Sequence, residues 1–502
     1  MNKTVKEFYD VLKEKNLILE SNLTDEILNK EISCLTFDNR EVEGPSIFVC
    51  KGAHFKEEYL HLAISAGAVL YVSEEKYDID AAFIKVSDVR LAMVYLAIIF
   101  YDNAPSKITS IGITGTKGKS TTAYYLRTIL NLWLEAEKKP ECAIISSIDT
   151  YDGVIREESH LTTPEAMPLH KNFYNAVNSG ISHLVMEVSS QALKYNRVTD
   201  ICFDVAAFTN IGVDHISPIE HTDFEDYFGS KLKLFDTCKT ACINTDAQYS
   251  DRVLEYAKGK CNIVTFGSSE TDTIYCKNIE KKDDGLYFNV RTPEYEDEIC
   301  ITMPGIFNVS NALCAIAMSY VLGVPKEYVK AGLKVARAGG RMQVYGSQDK
   351  KVVVIVDYAH NAMSFEALYS STRVEYPGRK IVTVFGCPGM KALLRRHDLG
   401  DSAGKNSDYV YITEEDSGEE PFMNIAKDIE ENLGDCPHEI LEDRGLAIFK
   451  AINEYAEGED KIILITGKGE ETRQKRGTLY IDCPSDVEFT LEALKAYDEK
   501  HS

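Results

Sequence analysis

The chain has 502 residues, beyond the range over which one hydrophobic core keeps growing, which excludes a single compact domain and predicts about three. An apolar fraction of 44% excludes the disordered, low-hydrophobicity class. The net charge of -24, from 79 acidic against 55 basic residues, opposes non-specific binding to nucleic acid or anionic membrane, so any anionic ligand needs a local basic pocket.

The opening segment MNKTVKEFYDVLKEKN is charged and lacks an apolar signal core, and no run of about 18 apolar residues follows. The 13 cysteines are scattered, odd in number and without a CxxC pair, as expected for reduced thiols. A soluble cytoplasmic protein is expected, with no membrane insertion and no nucleic-acid partner. Residues 1–105 mix strand-like runs (CLTFD, SIFVC, AVLYV, AFIKV) with helical patterns, a small α/β unit. DNAPSK, residues 102–107, reads as a linker. From 106 to 338, apolar strands (KITSIGIT, SHLVMEV, DVAAFTNI) alternate with helices such as PGIFNVSNALCAIAMSYVLG, the pattern of a parallel sheet covered by helices. A boundary near ARAGGRMQ opens a third unit, 339–502, whose strands KVVVIVDYA, KIVTVFG, DYVYITEE and KIILITG predict a second doubly wound sheet.

GITGTKGKSTT, residues 112–122, ends a β-rich run and opens a helix, the placement in which backbone N–H groups and a helix N-terminus cradle phosphates. Lys119 offers a charge to terminal phosphates and the Ser120 hydroxyl suits Mg²⁺. The strict GxxxxGK[ST] pattern fails, because Ile113 stands five residues before Gly118; a glycine-rich turn without ligand is the alternative. Glu187 ends SHLVMEV and His215 follows AAFTNIGVD, so both are expected at the sheet edge that carries the loop, where an oxygen and an imidazole suit Mg²⁺. A surface salt bridge for Glu187 and a structural His215 are the plainer readings of each residue alone.

GTxGKST resembles the ATP loop of the Mur ligases. LTTPEAMPLH, MEVSSQALKYNRV, FTNIGVDH, YFGSKLKLF, GGRMQ, VDYAHNAMS, FGCPGM and ITGKGEETRQ follow in the order and near spacing of that family's UDP-N-acetylmuramoyl-tripeptide synthetase branch, so the resemblance covers nearly the whole chain. It implies an α/β, three-domain architecture: an N-terminal uridine-nucleotide-binding domain, a central P-loop ATPase-like parallel sheet, and a C-terminal Rossmann-like domain. It also implies ATP and Mg²⁺ as cofactors, a UDP-muramoyl dipeptide and an amino acid as small-molecule partners, and a monomer. The implied ATP site comprises Gly115, Thr116, Lys117, Gly118, Lys119, Ser120, Thr121, Asn308, Asn311, Arg341 and Asp357, although Asn311 could instead be a helix N-cap. Lys231 matches the lysine that the family carries as a carbamate, N6-carboxylysine, which turns a cation that repels Mg²⁺ into an anion. With Ser120, Glu187 and His215 it forms the implied metal set, and with Lys119, Glu187, His215 and Arg341 the implied catalytic set. Residues alone do not choose between Lys231 and Lys233.

Positions matching the acceptor-substrate site are Asn39, His54, Thr162, Thr163, Ser189, Tyr195 and Arg197; Asn39 stands where serine is usual and Tyr195 where glutamine is common. Implied amino-acid contacts are Lys391, Glu415, Asp416, Gly418, Gly467 and Glu471. The family's diaminopimelate adders carry D-N-P-R where this chain has Glu415-Asp416-Ser417-Gly418. Losing the arginine and adding carboxylates favours a cationic side chain, L-lysine first and ornithine next. A solvated acidic loop is the alternative for EEDSGEE. Other readings are the same reaction with meso-diaminopimelate, a folylpolyglutamate-type ligase, and a non-catalytic nucleotide-gated binding protein.

Overall fold

The computed structural model describes residues 3–52, 55–159, 161–214, 216, 220–282, 284–390 and 393–501. His54, His215 and Lys391 lie outside them. The expected strand runs form three large sheets.

The first sheet runs, in spatial order, Ile18–Ser21, Ala82–Val86, Ala68–Ser73, Ser46–Val49, Cys34–Thr36, parallel except for the first pair. Val89–Phe100 packs on it and contributes seven buried residues. Within DNAPSK, Ala104–Lys107 form a 3-10 turn with Ala104 and Pro105 buried.

The second sheet has eleven strands: Arg156–Glu158, Asp149–Tyr151, Ala143–Ile145, His183–Glu187, Thr109–Thr114, Phe203–Phe208, Cys238–Asn244, Asn262–Gly267, Ile274–Lys282, Gly285–Arg291 and Glu296–Ile301. Pairing is parallel from Ala143–Ile145 through Ile274–Lys282 and antiparallel at both flanks. The parallel core matches the expectation, whereas the flanking hairpins are additions. The outermost Arg156–Glu158 strand is exposed throughout, so no apolar run marks it. Helices Lys119–Ala136 and Asn308–Val321 bury one face of this sheet around Ile111, Ile113, Leu126 and Ile316; Phe173, Met186, Phe208 and Phe228 fill the other.

The third sheet runs Gln343–Gly346, Val352–Asp357, Lys461–Thr466, Lys380–Phe385, Tyr409–Ile412, His438–Ile440. Only the first strand is antiparallel. Its central strand KIILIT is buried at every position, as a strand covered on both faces must be. The C-terminal ends of the parallel strands in the second and third sheets face each other, and Lys119, Glu187, Glu415 and Gly467 line the cleft between them.

Candidate functional site

Strand Thr109–Thr114 delivers the glycine loop and helix Lys119–Ala136 receives it. Gly115 and Gly118 have φ of 149° and 80°, which disfavour a side chain, and packing forbids one as well. A Cβ on Gly115 would stand 2.0 Å from Thr209 Oγ1, and one on Gly118 would stand 2.1 Å from Asn311 Oδ1. The loop is pinned from the adjacent strand: Asn210 Oδ1 accepts from Lys117 N (2.9 Å), and Thr209 Oγ1 donates to Lys117 O (2.7 Å). The helix that carries Asn308 and Asn311 is capped at Phe307, so Asn311 is not its N-cap. Its Nδ2 donates to Asn308 Oδ1 (2.8 Å), and Asn308 Nδ2 donates to Pro304 O (2.6 Å). Thr121 is buried at the helix start.

Three lysines gather at this loop. Lys119 Nζ donates to the carbonyls of Gly115 (3.0 Å) and Thr116 (3.2 Å). Lys231 Nζ also donates to Gly115 O (2.9 Å) and is 2% exposed, with its amine 4.6 Å from the Tyr227 ring centroid. Tyr227 bonds Thr116 Oγ1 through its hydroxyl (3.0 Å). Burial first, then the charge of Lys119, holds Lys231 well below the ordinary lysine range. Burial takes Lys117 down to about 7 against the pull of Asp214. Lys233 is exposed, so the fold separates the two lysines that the local sequence leaves equivalent.

Glu187 is 1% exposed, and its Oε1 accepts from Ser147 N (2.8 Å) and Ser147 Oγ (3.1 Å). Ser147 Oγ lies 2.9 Å from Ser120 Oγ. Arg341 crosses from the third unit and donates to Ser120 Oγ (3.3 Å) and Ser147 Oγ (3.4 Å), its guanidinium 4.5 Å from the Tyr358 ring centroid. Glu187 and Ser120 are thus joined through one hydroxyl, a pair of oxygen donors of the kind Mg²⁺ prefers. Ser147 escaped the sequence reading. Its signal is two serines directly after the AII strand, at the edge shared with the loop. Asp357 accepts from Met342 N (2.8 Å), and burial raises its carboxyl. His360, unassigned from sequence, places Nε2 3.4 Å from Lys117 Nζ.

A second cluster forms where the first and second sheets meet. Thr163 Oγ1 donates to Glu187 O (2.8 Å) and accepts from Ser189 N (3.0 Å). Arg197 donates to Thr163 O (2.9 Å) and pairs with Glu165 at 2.6 Å, while Lys51 of the first unit reaches the other oxygen of Glu165 (2.6 Å). Tyr195 lies under the Arg90 guanidinium, 4.0 Å from it. Asn39 occupies the turn Asn39–Glu41, and Thr162 faces the loop cleft.

The acidic segment is neither a solvated loop nor a free anionic patch. Glu414 is buried and pairs with Arg476 (2.6 Å) and the Ser417 hydroxyl (2.7 Å). Asp416 accepts from Lys468 Nζ (3.0 Å) and Lys475 N (2.9 Å), and Glu420 pairs with Arg396 (2.6 Å). Asp416 therefore carries its own counter-ion. Gly418 bonds the hairpin Arg473–Arg476/Leu479–Asp482 through Lys475 O (3.1 Å) and Gly477 N (2.7 Å), so the segment is the mount for that hairpin. Glu415 differs. It is buried against Gly467, where a Cβ would meet its Oε2 at 2.1 Å, and burial pushes its carboxyl up to about 7 despite Arg444 and Arg395. Glu471 accepts from the Tyr358 hydroxyl (2.5 Å) and Lys468 (2.9 Å).

Two cavities open here. One of about 380 Å³ joins the glycine loop and Glu187 to Arg395 and Glu415. The other, about 760 Å³, lies between Ser147, Arg341 and Glu471 and is walled by two hairpins. Among the described residues no group of three His, Cys, Asp or Glu side chains is placed to hold a metal, and no helix is long and apolar enough to cross a membrane.

Residues 113–319 match the Mur ligase middle domain and residues 340–469 the Mur ligase, glutamate ligase domain. The UDP-N-acetylmuramoyl-L-alanyl-D-glutamate–L-lysine ligase of Enterococcus faecalis is 35% identical over 93% of this chain and 92% of its own. The chain belongs to the Mur ligase family. As a member it is an ATP-dependent ligase. The UDP-N-acetylmuramoyl-L-alanyl-D-glutamate–2,6-diaminopimelate ligase of Clostridioides difficile is also 35% identical, over 89% of this chain and 92% of its own, so relatives of equal identity carry two different amino acids in their names. A solved structure titled UDP-N-acetylmuramoyl-L-alanyl-D-glutamate–2,6-diaminopimelate ligase covers all of both chains with a TM-score of 0.66 at 22% identity, a likeness of fold.

Proposed function

We propose that this ligase joins an amino acid, L-lysine favoured, to the D-glutamate carboxylate of UDP-N-acetylmuramoyl-L-alanyl-D-glutamate in peptidoglycan precursor synthesis. The observation that carries the ligase reading is the convergence of Lys119, Lys231, Glu187 and Arg341, from both facing sheets, on one cleft. The substrate carboxylate attacks the γ-phosphate of ATP, giving an acyl phosphate and ADP. The neutral amine of the amino acid then attacks the acyl carbon, forms the amide and expels phosphate. Lys119 and Arg341 stabilise charge on the transferring phosphoryl group, and Gly115 to Thr121 offer backbone N–H groups to the phosphates. Arg341 reaches Ser120 only while the two sheets face each other, so closure completes the site and excludes water from the acyl phosphate.

Ser120 and Glu187 would hold Mg²⁺, with His215 as the further ligand implied by family likeness; the ion supplies charge neutralisation on phosphate oxygens. Lys231 is suited to carbamate formation because the reaction needs a neutral amine, and its burial beside Lys119 disfavours the ammonium. Asn308, Asn311 and Asp357 would flank the nucleoside. Thr162, Thr163, Ser189, Tyr195, Arg197 and Asn39 would receive the anionic acceptor where the first two sheets meet. Glu471 would take the α-amino group, with Gly467 and Glu415 beside it.

The preference for lysine is supported by the wall of the larger cavity, where Asp149, Glu157, Glu158, Asp416, Glu470 and Glu471 outnumber Arg156, Arg341, Lys468 and Arg473. The test is phosphate release with ATP, Mg²⁺ and the muramoyl dipeptide, comparing L-lysine, L-ornithine and meso-diaminopimelate, with product masses checked. Turnover with lysine is expected. Exclusive use of diaminopimelate would refute the amino-acid assignment, and no turnover with any of the three would refute the ligase reading.

A further inference from the structure

Of the six carboxylates that wall the larger cavity, four have committed partners, and of the other two, Glu157 and Glu158 on the exposed edge strand, it is Glu158 that meets a cation from the third unit. Asp149 accepts from the Tyr124 hydroxyl, Asp416 from Lys468 and a backbone N–H, Glu470 from Gln343 Nε2 at 2.6 Å, and Glu471 from Tyr358 and Lys468. Glu158 is held differently. It stands on the exposed edge strand of the second sheet, and among the described residues its side chain meets one partner, Arg473 Nη2 on the hairpin of the third unit, at 3.4 Å. Both side chains keep access to solvent, at 42% and 29% exposure. Arg473 also holds a cation–π contact on its own hairpin, 5.6 Å from the Tyr480 ring centroid.

We propose that Glu158 is a specificity-determining residue that takes the distal ammonium of the incoming amino acid, with Arg473 as the cation it exchanges. This rests on the ligase reading above and names the residue that the acidic segment does not supply. At Glu158 one cation replaces another, and the displaced Arg473, 29% exposed, keeps its contact with Tyr480. A side chain that ends in a carboxylate meets like charge at Glu158 and is disfavoured. Because reader and exchangeable cation stand on different sheets, occupancy of the cavity is coupled to the spacing of the two units.

The test is the KM for L-lysine in Glu158→Gln and Arg473→Gln, with phosphate release as readout and the KM for ATP measured alongside. Glu158→Gln is expected to raise the lysine KM about fivefold, the scale of a partly exposed ion pair. Arg473→Gln is expected to lower it, because the competitor for Glu158 is gone, and the ATP KM stays put in both. A pure inter-domain latch predicts that both variants raise the lysine KM together, and that result overturns the proposal, as does an unchanged lysine KM in Glu158→Gln. Use of meso-diaminopimelate that disappears in Arg473→Gln also overturns it, since the guanidinium would then be the reader. If the unaltered protein turns over no amino acid, the ligase reading falls and takes this assignment with it; turnover with lysine and an insensitive Glu158→Gln removes this assignment alone.

Discussion

The glycine loop and the acidic segment are both short, charged motifs at the C-terminal ends of parallel strands, yet the fold treats their charges in opposite ways. At the loop, Lys119 and Lys231 donate to the same backbone carbonyl, that of Gly115. Burial holds both amines below the ordinary lysine range, and the charge of Lys119 adds to it at Lys231, so an anion arriving at Lys119 is favoured and Lys231 is kept near its neutral form. In the acidic segment, Glu414, Asp416 and Glu420 each meet a cation within 3.0 Å. Glu414 and Glu420, each held by an arginine within 2.6 Å, are scaffold, whereas the amines crowded at Gly115 mark where a ligand belongs.

Four substitutions sharpen or break this contrast. Lys119→Ala should cost about 10²- to 10³-fold in turnover, the scale of losing one preorganised stabiliser of transferring charge; phosphate release retaining more than a tenth of the original rate would break the comparison. A milder effect is expected of Glu415→Gln, with a sign fixed by linkage. The folded carboxyl, raised from 4.5 to about 7, holds a proton that the unfolded chain has released, so the wild-type fold loses stability as pH rises from about 4.5 to 7. The glutamine variant should therefore gain on the order of 2 kcal/mol above pH 7 and nothing near pH 4.5. Thermal melts at pH 5 and pH 8 check this, and a larger gain at the acidic end would sink it.

Arg476→Ala leaves Glu414 without its cation. Because Arg476 is itself 55% exposed, solvent screening limits the loss to about 1 kcal/mol. The readout is faster hydrogen exchange across residues 473–482, and unchanged protection there would show that the acidic segment is not the hairpin's mount. Smallest of all, Glu419→Ala, at the exposed position of the segment, should shift stability by less than about 0.5 kcal/mol in chemical denaturation. An effect matching that of Arg476→Ala would erase the distinction between paired and solvated members of the run.

Much of the architecture was legible in the chain. Buried parallel strands appear as unbroken β-branched runs, so VVVIVD and KIILIT announce themselves, as does the strand–glycine–helix junction at residues 109–136. The edge strand Arg156–Glu158 has no such signature, since a strand exposed throughout carries no apolar alternation. Ser147 was missed for a related reason: a serine after a strand is ordinary until the neighbouring strands place it between Ser120 and Glu187.

By itself, the sequence determined the run of α/β units, the place of the glycine loop and the family motifs, because periodicity and backbone conformation are local properties written in neighbouring residues. The tertiary structure buried Lys231 at the loop and left Lys233 exposed, denied Asn311 a capping role, and spent most of the acidic segment on a hairpin. It also set Glu158 opposite Arg473, residues separated by more than three hundred positions. Charge at a point depends on every group folded around it, and that sum exists only once distant strands share an edge.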